Sequence, residues 1–299
     1  MVERIKRAME LARQERESAV QGAAPGSPAR DVSAGTVAAP DPAPASSTAV
    51  AVDAAARPAV SVPGGEQGDV SRTIAVSELM LRESRLLLPG MVGDAAHGFR
   101  LLRTQVLQRM RQRGWNTLAV LSPGPDEGKT FTAINLAIAI AADPDSTALL
   151  VDLDLRFPRL YRRFGIVPAM GVEDCLRGEA QLSEAMVAVE GYPGMMLLPA
   201  RGPVEHSSEL ISGASARAFF RSIKDRYPNR IVIYDLPPVL ATDDALSFLP
   251  QVDAALMVIG EGRTHRDDLL RCLDLLRDTP ILGTVLNGSR GERSAEYAY

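Results

Sequence analysis

The apolar run Thr117–Leu121 passes directly into Ser122-Pro-Gly-Pro-Asp-Glu-Gly-Lys-Thr130, and residues 131–142 continue as an apolar segment of helical length. Strand, glycine loop and helix in immediate succession give the geometry in which main-chain N–H groups and a helix N-terminus converge on one phosphate. Gly124 and Gly128 allow the backbone to approach the anion, Lys129 reaches the β/γ oxygens, and the Thr130 hydroxyl is placed to hold Mg²⁺. Pro123 occupies the first glycine position of the strict GxxxxGK[ST] pattern. The reading therefore rests on the three pieces together. Asp126 and Glu127 are unusual beside phosphates, because like charges repel, and both side chains are expected to face solvent.

The residues beyond this helix constrain the fold further. Short apolar runs recur at Thr147, Met195, Ile231, Ala255 and Ile281, separated by amphipathic segments. Runs apolar on both faces, joined by helices, predict a parallel sheet covered on both sides. Right-handed crossovers make it a doubly wound, mostly parallel α/β fold, with ligands beyond the carboxyl ends of its strands. Two helical patterns over 77–110 precede it.

Ahead of this domain the composition changes. Residues 1–18 carry Val2, Ile5, Met9 and Ala12 on one face of a short amphipathic helix, either solvated or docked on another protein. Residues 19–75 are rich in Ala and Pro with few large apolar residues to bury, which predicts a disordered linker. The folded domain is expected over 76–288 and a flexible tail, GERSAEYAY at its end, over 289–299. With 33 Lys plus Arg against 37 Asp plus Glu, the net charge of -4 argues against a nucleic-acid partner. Cys175 and Cys272 are too few and too far apart for a disulfide framework or, with three scattered histidines, a zinc site. No apolar run is long enough to span a bilayer, and the charged N-terminus does not read as a signal peptide. The expectation is a soluble protein of a reducing compartment.

Two further apolar runs end in carboxylates. The segment ALLVDLDLRFPRL places Asp152 and Asp154 at a strand end, where they suit a metal ion and the orientation of a nucleophile, or cap the next helix. The basic residues Arg156, Arg159, Arg162 and Arg163 come next, read as a solvated turn, a phosphate contact or a surface for a neighbouring subunit. The segment RIVIYDLPPVLATDDAL ends its strand at Asp235, a Mg²⁺ partner for a phosphate loop; Asp243 or Asp244 is expected to cap the helix at Ala245.

These three pieces in order, a phosphate loop, Asp152 to Pro158 and Asp235 to Pro238, resemble the bacterial tyrosine kinases of exopolysaccharide and capsule synthesis. The resemblance covers about 84–287 and extends to FRLLRTQV, GVEDCLRGE, LLPAR, SSELI and GTVLN. It implies a P-loop fold of the MinD/ParA-like NTPase superfamily and an ATP-dependent protein-tyrosine autokinase, with ATP and Mg²⁺ as cofactors. By position it implies Lys129, Asp152 and Asp154 as the catalytic set. Asp152 would orient or deprotonate the tyrosine hydroxyl. Thr130, Asp154 and Asp235 would serve the metal, and Gly124, Asp126, Glu127, Gly128, Lys129, Thr130, Phe131 and Asn287 the nucleotide, Asn287 at its adenine. Tyr297 and Tyr299 would be phosphoacceptors on a neighbouring subunit of a homo-oligomer. Family tails usually carry more tyrosines. An inner-membrane chain-length regulator or co-polymerase is the implied activator, with the kinase cytoplasmic and peripheral at that membrane. Ring-forming members share a Glu-x-x-Arg-x-x-Arg helix, and here His97 precedes Arg100 and Arg103.

Two other functions fit parts of the pattern. A partitioning-type ATPase switch would carry an extra lysine at the start of the loop, yet no Lys or Arg occurs between Arg113 and Lys129. An ATP-binding scaffold without kinase activity is kept open by Asp126 and the short tyrosine tail.

Overall fold

The computed structural model describes residues 72–289. The helix expected over 1–18, the linker up to residue 71, and the tail with Tyr297 and Tyr299 lie outside them. Eight strands form one sheet: β1 (Thr73–Ile74), β2 (Thr117–Leu121), β3 (Thr147–Asp152), β4 (Val187–Val189), β5 (Met195–Leu198), β6 (Arg230–Asp235), β7 (Ala254–Gly260) and β8 (Ile281–Asn287). Their order is β1-β4-β5-β3-β6-β2-β7-β8. Every neighbouring pair is parallel except β4 with β5. All six apolar runs read in the sequence are strands. Every residue of β2 and β6 is buried although side chains alternate between faces, so the centre of the sheet is covered on both sides.

The sheet also contains two strands that the apolar pattern did not announce. β1 and β4 are two and three residues long, too short to display a period. Ala188 N–H donates to the Arg72 carbonyl at 3.0 Å and Glu190 N–H to that of Ile74 at 2.9 Å. The sheet thus already includes Thr73.

The helices are α1 (Glu78–Glu83), α2 (Asp94–Arg111), α3 (Lys129–Ala141), α4 (Leu160–Arg163), α5 (Val172–Arg177), α6 (Leu182–Ala185), α7 (Ser207–Ser212), α8 (Ala214–Arg226), α9 (Asp244–Phe248) and α10 (Arg266–Leu275). None of those described is long and apolar enough to cross a membrane. α3 follows the phosphate loop and is buried from Thr132 through Ile140, which explains its lack of a polar stripe. Its one interior amide, Asn135, accepts from Leu87 N–H at 2.7 Å and donates to the Phe131 carbonyl at 3.0 Å, so no polar group is wasted. Behind β6, Tyr234 packs edge-on against Phe220 and Phe248. Its ring is 1% exposed and burial pushes the phenol well above its ordinary range, so Tyr234 is a core residue.

Register brings the functional ends together. Asp152 of β3 and Val120 of β2 both pair with Asp235 of β6, and Gly260 of β7 pairs with Asn287 of β8. The carboxyl ends of five strands thus surround the loop that follows β2, where an open α/β sheet binds its ligand.

Candidate active site

The loop 122–128 is shaped from within and from three neighbours. Ser122 Oγ donates to the Gly124 carbonyl at 2.7 Å. Pro237 and Pro238 turn the chain after β6 back along the loop, where Val239 N–H donates to the Ser122 carbonyl and Leu240 N–H to that of Pro123. Asn287 Nδ2 donates to the Glu127 carbonyl at 3.0 Å. The amide lies against Gly128, whose φ is 95°: a Cβ there would stand 2.9 Å from Asn287 Cγ and nearer still to its nitrogen. Glycine at 128 therefore serves both the left-handed turn and the seating of Asn287. Gly128→Ala is expected to cost about 2–4 kcal/mol, the left-handed penalty plus the lost seat; chemical denaturation would measure it, and a cost below about 0.5 kcal/mol would show that Asn287 moves aside freely.

The two loop carboxylates part company. Asp126 is exposed, as expected, and takes a φ of 55°; its carboxylate accepts from Arg159 Nη1 at 3.2 Å and its carbonyl from Arg263 Nη1 at 2.8 Å. Glu127 does not face solvent. It is 5% exposed and accepts from Thr264 Oγ1 at 2.7 Å, and burial pushes its carboxyl up despite that bond and one from Gly124. The turn after β7 supplies what the loop lacks: a cation for the Asp126 carbonyl and a hydroxyl for Glu127. Sequence reading missed Arg263 and Thr264; the glycines 260 and 262 just after an apolar strand were the available signal.

Beyond the loop, Lys129 Nζ donates to Asp154 Oδ2 at 2.9 Å, with both side chains nearly buried. Burial alone would lower the Lys129 ammonium, but Asp235 and Asp154 outweigh it and hold it above its usual range. Asp235 is 1% exposed. Burial pushes its carboxyl up to about 6, against the pull of Lys129 and of a hydrogen bond from Thr130. Its Oδ1 is buried without a partner among the protein atoms. Thr130 and Asp235 thus offer hydroxyl and carboxylate oxygens side by side, one of them unsatisfied, which is the donor set a hard cation such as Mg²⁺ takes. The residues fit that ion.

Asp152 is fully buried. Burial and then Asp235 push its carboxyl well above the ordinary range, while two main-chain donors, Leu160 N–H at 3.0 Å and Asp154 N–H at 3.3 Å, pull the other way. Those amides fold the segment after β3 back on itself, with Phe157 N–H on Asp154 Oδ1 at 3.2 Å.

Other expected residues have different work. The Phe131 ring turns away from the loop to meet Phe99 of α2, 5.8 Å between centroids, so any contact with nucleotide is left to its main chain. Neither Asp243 nor Asp244 caps α9 with its side chain. Asp244 is fully buried, accepting from Ser207 Oγ at 2.7 Å and Arg156 Nη2 at 3.2 Å, while Asp243 shares that guanidinium at 3.1 Å. A buried carboxylate with two good donors gains more from them than from an exposed helix end, and Arg156 is held rather than solvated. A cavity of about 840 Å³ lined by Leu87, Ala139, Pro144 and Tyr192 lies at the far end of α3, roughly 18 Å of helix from Lys129, and takes no part in this site.

The raised Asp235 carboxyl has a consequence for stability without metal. A carboxyl pushed up to about 6 in the fold is favoured protonated, so its contribution is fully present below the unfolded value and is lost as pH rises through about 6. Asp235→Asn, measured in EDTA, is expected to stabilise the domain by on the order of 1–3 kcal/mol at pH 7.5 and by little at pH 4. An equal effect at both pH values would remove the charge-burial explanation.

No family model matches the sequence. The chain is 28% identical over 204 residues to the tyrosine-protein kinase YwqD of Bacillus subtilis, covering 67% of this chain and 84% of that protein. It is 29% identical over 225 residues to the succinoglycan biosynthesis transport protein ExoP of Rhizobium meliloti, covering 73% of this chain but only 28% of the relative. Among solved structures, the kinase domain of the Escherichia coli tyrosine kinase ETK superposes with a TM-score of 0.61 at 28% identity, over 77% of this chain and 94% of that domain. The cell division ATPase MinD of Pyrococcus furiosus aligns with a TM-score of 0.50 at 26% identity, over 60% of this chain and 74% of that one. The fold is that of the P-loop NTPases.

Proposed function

We propose that the chain, like the tyrosine kinases it is similar to, transfers the γ-phosphoryl group of Mg-ATP, here to Tyr297 and Tyr299 of a neighbouring copy. One observation carries the reading: Lys129 is held against Asp154 at the mouth of a phosphate loop, beside the register-paired carboxylates Asp152 and Asp235. Phosphoryl transfer asks for positioning and charge neutralisation more than for covalent chemistry.

In this reading the amides of the loop and Lys129 bind the β and γ phosphates, and Lys129 exchanges Asp154 for phosphate oxygen as ATP enters. Thr130, Asp154 and Asp235 would hold Mg²⁺, which would supply positive charge to offset that of the phosphates. Asn287 contacts the adenine. Asp152, its basicity raised by burial, orients the acceptor hydroxyl and takes its proton. About ten residues separate Asn287 from Tyr297, a reach on the order of 33–36 Å when extended. That length suits transfer between subunits.

The relatives' names tie ExoP to succinoglycan transport. By extension we assign this kinase to control of exopolysaccharide or capsule assembly, in the cytoplasm and held at the inner membrane by a partner of the chain-length regulator class that activates it. Phosphotyrosine mapping after incubation with Mg-ATP and a cytoplasmic fragment of that activator tests the proposal, on the intact chain, on Lys129→Met and on a form ending at Glu296. Label at Tyr297 or Tyr299 of the intact chain that disappears in Lys129→Met, with none gained elsewhere in the shortened form, is the expected result. ATP turnover without tyrosine label would make the protein a hydrolysing switch, and ATP binding without either would make it a scaffold.

A further inference from the structure

Asp126 poses a problem that nucleotide binding alone does not answer. A carboxylate at the crest of a phosphate-binding loop repels the anion the loop is shaped to receive, and here a non-glycine residue holds a left-handed φ of 55° to stand there. Its carboxylate is engaged by Arg159, from the segment that begins at Asp152. Both side chains are more than half exposed, and an ion pair of that kind is weak and readily exchanged. The neighbouring arginines have other partners: Arg156 is bound to Asp243 and Asp244, and Arg162 Nε donates to Tyr161 Oη at 2.8 Å. Of these three, Arg159 has its partner in the loop, at the Asp126 carboxylate, while Arg263 reaches the same residue only at its carbonyl.

Its position is set from beneath. The next residue, Leu160, is fixed by its amide on Asp152, so the guanidinium is carried on a segment anchored to the sheet. Its positive charge acts on both Lys129 and Asp235, the two groups that flank the γ-phosphate position. We propose that Arg159 is a further phosphate-contacting residue of the site, which binds the terminal phosphate of a nucleoside triphosphate, and that Asp126 is its resting partner until that phosphate arrives. The inference rests on the ATP-dependent reading above and adds a residue that distinguishes triphosphate from diphosphate. One guanidinium serves two anions in turn. The bidentate fork of arginine suits either, and the loop carboxylate keeps it from swinging into solvent while the site is empty.

The test is the affinity of the full chain for the Mg²⁺ complexes of β,γ-imido-ATP and of ADP, by titration calorimetry. Arg159→Ala is expected to weaken the triphosphate analogue about tenfold and ADP less than about twofold, as for loss of one charge-assisted contact to the γ-phosphate. Arg159→Lys should recover part of that loss. Asp126→Asn, which tolerates the left-handed backbone, should strengthen the analogue by about two- to fivefold by freeing the guanidinium and removing a repelling charge. Equal weakening of both nucleotides by Arg159→Ala, no weakening of either, or weaker triphosphate binding in Asp126→Asn would overturn the proposal. Because the readout is nucleotide affinity, a chain that discriminates as expected yet labels no tyrosine would count against the kinase reading alone.

Discussion

Lys129→Met is expected to reduce tyrosine label by at least about a hundredfold, the loss when one preorganised cation is removed from a developing phosphate charge. It should also destabilise the free domain, which a mere loss of catalysis would not do. Lys129 is the ammonium whose charge offsets Asp154 and Asp235, both nearly buried, and removing one partner of a buried pair leaves the other charge uncompensated, typically by about 3–5 kcal/mol. That cost depends on pH. Without the cation, the Asp235 carboxyl rises further from about 6, and protonation at low pH relieves the burden, so the cost should be largest near pH 8 and shrink towards pH 5. Thermal denaturation of both forms across that range checks the electrostatic account, and phosphotyrosine immunodetection the catalytic one. A uniform loss of stability at all pH values would mean that methionine simply packs badly.

Much of this site is legible in the amino-acid sequence. The loop, Asp152, Asp154 and Asp235 stand out because each sits where an apolar strand stops, and register alone then places Asp152 opposite Asp235. Strand ends are visible in sequence; the other side of the crevice is not. Glu127 looked solvent-facing because nothing local announces Thr264, which reaches it from 137 positions away through a turn. Asp243 and Asp244 looked like helix caps for the same reason, since Arg156 and Ser207 meet them only after the chain has crossed the sheet. β1 and β4 escaped because two- and three-residue strands carry no period, and their pairing is set by what lies beside them. Non-local polar partners and edge strands are thus the parts that composition and periodicity leave blank.

The aspartates at the end of β3 and just beyond it divide by experiment. Asp152→Asn keeps the shape and one main-chain acceptor of the native residue, so the Leu160 amide retains its partner, while the oxygen basic enough to take a proton is gone. The expected result is a fall in tyrosine label of about a hundredfold or more with Mg-ATP affinity within about threefold, the pattern of a group that acts only in the transition state. Asp152 is also a structural anchor, fully buried and bonded to the amides of Leu160 and Asp154. If anchoring were its whole contribution, label would fall only as far as ATP affinity and thermal midpoint do, because a loosened segment carries Asp154 and Arg159 out of place together. Asp154→Asn supplies the contrast: it should weaken Mg-ATP binding itself, since it removes the partner of Lys129 and a candidate metal oxygen at once. Label lost in Asp152→Asn with affinity kept, and affinity lost in Asp154→Asn, would assign proton transfer to the first carboxylate and charge neutralisation to the second.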